Sequence, residues 1–80
     1  MDERVIALLI LELVARRGPG KTICPSEVAR ALGGDWRAHM PFVREVAARL
    51  AAEGRIVVTQ KGRVVEADRA VGPIRLGLPE

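Results

Sequence analysis

Between Glu3 and Arg17 the apolar residues Ile6, Leu9, Ile10, Leu13 and Val14 recur at intervals of three and four. That spacing puts them on one face of a helix, with Glu12 and Arg16 paired at i,i+4 on another. Asp2 stands where an N-cap belongs, and Gly18-Pro19-Gly20 ends the helix, because proline cannot continue it. Lys21 to Ile23 reads as a short extended link. A second helix is predicted from Pro25 to Leu32, with Val28, Ala29 and Leu32 inward and Gly33-Gly34 as its stop. Asp35 to His39 is left as a turn or a preliminary helical turn. The third helix is predicted from Pro41, placed in its first turn, to about Glu53, burying Met40, Val43, Val46, Ala47 and Leu50. Gly54 is the expected terminating glycine.

After Gly54 the character changes to β-rich runs. Arg55–Gln60 (RIVVTQ) and Arg63–Glu66 (RVVE) flank Lys61-Gly62, a two-residue link that reads as a tight hairpin. Beyond Asp68 the pattern is irregular until Ile74, Leu76 and Leu78 alternate, which predicts an extended tail with one apolar side. The expected fold is mainly α with a small β-hairpin. Its order is helix, short strand, helix, helix, two-stranded wing and extended C-terminal tail, the winged helix-turn-helix arrangement. One domain is expected over residues 1–80, with its core at about 3–68 and the tail at about 69–80.

Several of these strings resemble a small bacterial family known as domain of unknown function 3253. They are TICPSEVARAL, the pair Trp36-Arg37, Met40, Val43-Arg44, GRIVVTQKG and GPIRL. The resemblance spans roughly Thr22 to Leu76 and implies a winged-helix fold with no assigned biochemical activity. It marks Cys24, Pro25, Ser26 and Glu27, then Trp36, Arg37 and Arg44, then Gln60, Lys61 and Gly62, and finally Gly72, Pro73 and Arg75. It attaches no role to any of them.

Composition narrows the class. At 49% hydrophobic with almost no aromatics, the core must be aliphatic. A single cysteine forms no internal disulfide, so a cytoplasmic location is expected. The run VIALLILELVA follows acidic rather than basic residues and is too short to cross a bilayer, so no membrane role is expected. The net charge of +3 and the pI near 10.0 are compatible with a polyanionic partner.

Candidate chemistry is sparse. Gly18 to Thr22 (GPGKT) resembles the end of a phosphate-binding loop, but position 15 is alanine and a helix leads in where a strand is required. It reads as a helix stop. Cys24 is the expected N-cap of the second helix, with Pro25 and Glu27 completing a capping-box register around a thiol. His39 is a lone imidazole without an evident partner. No convergent acid, base and nucleophile set is visible, so no enzymatic activity, cofactor, metal or small-molecule ligand is expected.

Duplex DNA is the expected partner, read by the third helix with the wing on the flanking backbone, as in a transcriptional regulator. Arg37, Arg44 and Arg49 are the candidate residues on that helix, with Lys61 and Arg63 at the hairpin and Ser26 beside the second helix start. Scarcity of aromatics argues against single strands. The alternative is a protein-interaction module. Val5, Leu8 and Leu11 lie off the main stripe of the first helix, so either a second copy covers them in a homodimer or the tail folds over them. Cys24, Trp36 and Arg75 are candidates for a small pocket or anchor.

Overall fold

The computed structural model describes residues 2–79. Three helices form, α1 (Glu3–Arg17), α2 (Pro25–Ala31) and α3 (Trp36–Ala52). Local chemistry sets their ends. The Asp2 carboxylate accepts from the Arg4 N–H at 2.9 Å, and Gly18 closes α1 with φ 94°. Gly54, with φ 75°, follows the Glu53 C-cap of α3 as expected.

α3 begins five residues before Pro41, so Pro41 is not in its first turn but well inside the helix. Asp35 is the N-cap, its side chain accepting from the Arg37 N–H at 3.2 Å. Pro41 has no N–H to offer the Arg37 carbonyl, but both residues are exposed, where water can replace the missing donor. Trp36 and Met40 pack against the core, and that anchoring holds the extra turn in place.

The strands are β1 (Thr22–Ile23), β2 (Val57–Gln60), β3 (Arg63–Val64) and β4 (Arg75–Gly77). They make one antiparallel sheet in the order β1-β4-β2-β3. The tail is extended, as its alternation predicts, and it forms an interior strand. Leu76 faces both Ile23 and Val58 across the ladders. Ile23, Val58 and Leu76 point into the core, whereas Thr22, Val57, Thr59, Val64 and Arg75 share the outer face. Gly77 belongs to that outer face and is buried. A Cβ there would stand 3.2 Å from the Lys21 carbonyl oxygen and 3.2 Å from the Thr22 methyl, so glycine lets β1 approach closely.

The core is aliphatic throughout. Ile6, Ile10 and Val14 of α1 meet Val28 and Ala29 of α2, Val43, Val46, Ala47 and Leu50 of α3, and the inward strand residues. Ala67 and Ile74 join them from the excursion between β3 and β4. No buried polar or charged side chain occurs among the described residues. Leu11 is half-buried against this core, but Val5 and Leu8 stay 51% and 68% exposed. The tail therefore does not fold over them, because its apolar side is consumed inside the sheet.

The β2–β3 turn carries a specific strain. Lys61 (φ 51°) and Gly62 (φ 81°) both have positive φ, the signature of a type I′ turn. Asparagine tolerates this region far better than lysine. Lys61→Asn is expected to stabilise the domain by about 0.5 kcal/mol, a gain to be read as a higher urea midpoint with unchanged slope.

Candidate nucleic-acid interface

The corner between α2 and α3 is built by two glycines, Gly33 (φ 81°) and Gly34 (φ 67°). His39 closes it from inside α3, its Nε2 lying 2.7 Å from the Gly33 carbonyl. A carbonyl only accepts, so this nitrogen carries the proton and donates. Trp36 is half-buried at the start of α3 and carries two cations. The guanidinium carbons of Arg30 and Arg37 lie 4.6 Å and 4.5 Å from the ring centroid.

Arg44, on α3 as expected, is engaged within the chain. Its Nη1 donates to the Ala70 carbonyl at 2.7 Å and its Nη2 to the Gly72 carbonyl. Gln60 completes the arrangement, its Nε2 donating to the carbonyls of Val71 at 2.8 Å and Pro73 at 3.1 Å. Arg44 takes the carbonyls of Ala70 and Gly72, and Gln60 those of Val71 and Pro73. Side chains thus hold this segment where a ladder would hold a strand. Gly72 sits in the middle at φ 95°, a conformation that favours glycine. Arg44 joins α3 to the segment that precedes β4.

Arg49 is also engaged. It pairs with Glu3 of α1, Nη1 and Nη2 donating to the two carboxylate oxygens at 2.6 Å and 3.3 Å. The hydrogen bond from Arg49, reinforced by its charge, holds the Glu3 carboxyl below the usual carboxylate range. A lowered folded-state pKa contributes stability that is present above the unfolded value and is lost as pH falls through the folded one. The melting temperature of wild type is therefore expected to exceed that of Glu3→Gln at neutral pH, with the difference closing in acid below the ordinary carboxylate range.

The other sequence candidates are distributed as follows. Arg75 lies across the outer sheet face, Nε donating to Thr22 Oγ1 at 2.9 Å and Nη2 to the Thr22 carbonyl at 3.0 Å. It is not brought to Trp36, whose flanking cations are Arg30 and Arg37. Cys24 is the N-cap of α2, and the Glu27 carboxylate accepts its N–H at 2.8 Å. The Ser26 hydroxyl donates to Cys24 Sγ at 3.2 Å, so it faces the thiol. No group of potential metal ligands occurs among the described residues. None of the described helices is long and apolar enough to cross a membrane.

Sorting the cations by partner isolates a small set. Arg4, Arg16, Arg17, Arg49, Arg55 and Arg69 pair with carboxylates. Arg44 and Arg75 are bound to backbone or hydroxyl oxygens. Among the described residues, Lys21, Arg30, Arg37, Lys61 and Arg63 form no ion pair. Four of these bracket one surface. It runs from Arg30 and Arg37 along α3 to Arg44, across the clamped segment to Gln60, and on to Lys61 and Arg63. Glu45 and Asp68 share a cleft with Arg37 in its middle, so the surface is positive at both ends rather than uniformly.

Sequence reasoning missed Arg30, and it marked Gln60 through the family resemblance without giving it a role. Arg30 lies in the last turn of α2 and Trp36 opens α3, and no spacing rule brings them together. Gln60 stands next to the hairpin turn, where its position alone indicates a strand end and nothing of what its amide would reach.

A family model described as Protein of unknown function (DUF3253) matches residues 3–79, and the chain belongs to that family. No curated protein matches the chain.

Proposed function

We propose that this member of the DUF3253 family binds duplex DNA in the cytoplasm, as a transcriptional regulator would. The N-terminal half of α3 lies in the major groove and the β2–β3 hairpin rests on the adjoining backbone. The observation that carries this reading is the pair of unpartnered cation groups, Arg30 with Arg37 and Lys61 with Arg63, at the two ends of one continuous surface. α2 and α3 are consecutive helices joined by a tight glycine turn, and in such a pair the second presents its early residues to base edges. Met40, Pro41 and Glu45 are the residues so presented. Phosphate attraction comes from the two cationic ends.

The test is a titration of labelled protein with a duplex, followed by amide chemical shifts. Shifts are expected at residues 36–45 and 60–72, with α1 unaffected. Shifts confined to α1, or none at low salt, would remove the proposal.

A second reading rests on the exposed pair Val5 and Leu8, apolar residues on the solvent side of α1. It is an assembly surface, either for a homodimer or for another protein. Sedimentation at increasing concentration decides the homodimer, and a monomer throughout speaks against it.

A further inference from the structure

Resting on the duplex reading, we infer that Arg30 and Arg37, braced on the ring of Trp36, form a backbone-phosphate clamp at the α2–α3 corner. Neither guanidinium has a carboxylate partner among the described residues, unlike the six arginines that do. Both stand within 4.6 Å of one ring centroid, although they come from different helices. Two like charges gathered on one indole repel each other. The cation–π attraction offsets part of that cost, and a bound anion removes more of it.

The geometry favours phosphate over a base. A guanidinium held over an aromatic face has lost much of its rotamer freedom before any ligand arrives, so little remains to be lost on binding. Its N–H fork matches the paired oxygens of a phosphodiester. The ring itself is covered by these cations, and paired bases in a duplex are not free to stack on it. Asp35, two residues before Arg37, is engaged in capping α3 through the Arg37 N–H, and Glu45 and Asp68 share a cleft with Arg37 without forming an ion pair with it. Trp36 is accordingly a positioning residue, and the two arginines make the contact.

Trp36 is the one tryptophan of the chain, so its fluorescence reports this corner directly. Wild type is titrated with a duplex, with a single strand of the same sequence, and with inorganic phosphate at matched ionic strength. Emission is expected to change with the duplex over the range in which binding is seen by anisotropy, and not with inorganic phosphate. An equal response to inorganic phosphate would mean a general anion site and overturn the clamp. The double variant Arg30→Met/Arg37→Met removes two exposed charges while keeping aliphatic bulk. Its affinity should fall roughly a hundredfold at about 50 mM salt, and its salt slope should flatten by about 2. Wild-type affinity and slope in that variant would overturn the inference. If Lys61→Ala/Arg63→Ala then weakened binding alone, the duplex reading would stand without the clamp. If wild type bound no duplex, both would fall.

Discussion

Leu76→Ala is expected to destabilise the domain by about 3–5 kcal/mol, the upper part of the range for a buried leucine. Leu76 is 0% exposed and lies on β4, the strand paired to both β1 and β2. Truncating it leaves a cavity between two ladders that are each only a few residues long. A small domain has a total stability of roughly 5–10 kcal/mol, so the loss is a large share of the whole. Urea unfolding of three variants checks it. Leu78→Ala, half-buried beside the core, should cost about 1–2 kcal/mol, and Val71→Ala, 92% exposed, should cost about nothing. Equal costs for Leu76 and Leu78 would mean that β4 is not an interior strand.

The second large effect is at Arg44. Arg44→Ala leaves the carbonyls of Ala70 and Gly72 without their guanidinium donor, and bonds to charged groups contribute about 1.5–3 kcal/mol each. Gly72 is exposed and water can replace part of this, so a total loss of about 2 kcal/mol is expected. Hydrogen exchange over residues 66–76 should accelerate more than exchange in α1. Arg44→Lys does not restore the clamp, because an ammonium group lacks the fork that reaches two carbonyls. Gln60→Ala should loosen the same segment from its other side. Wild-type stability in Arg44→Ala would contradict this structural role.

The helices were legible because the signals that set them are local. The 3.6-residue periodicity, the Asp2 cap and the stops at Gly18, Gly33 and Gly54 all act within a turn or two. The start of α3 was misplaced because a local rule about Pro41 lost to packing of Trp36 and Met40. The tail illustrates a different limit. Alternation of Ile74, Leu76 and Leu78 reveals one apolar side, but the strands it enters between lie far away in sequence. The arginines of α3 show the same limit at the candidate site. Spacing predicts which arginines share a helix stripe, yet what faces Arg44 and Arg49 is set by the clamped segment and by α1. Thus Arg44 meets Ala70 and Gly72, Arg49 meets Glu3, and Arg37 meets Trp36.

Glu45 and Asp68 give the interface an uneven charge, since both lie in the cleft beside Arg37. In the proposed duplex complex, acids at that position would oppose non-specific attraction and leave the two cationic ends to set the register on the backbone.

The most direct test of duplex binding through these two ends is fluorescence anisotropy of a labelled duplex across a salt series. Four contacting cations predict a slope of log Kobs against log[salt] of about −3 to −4. Binding that is undetectable at low salt, or a slope near zero, would contradict the account.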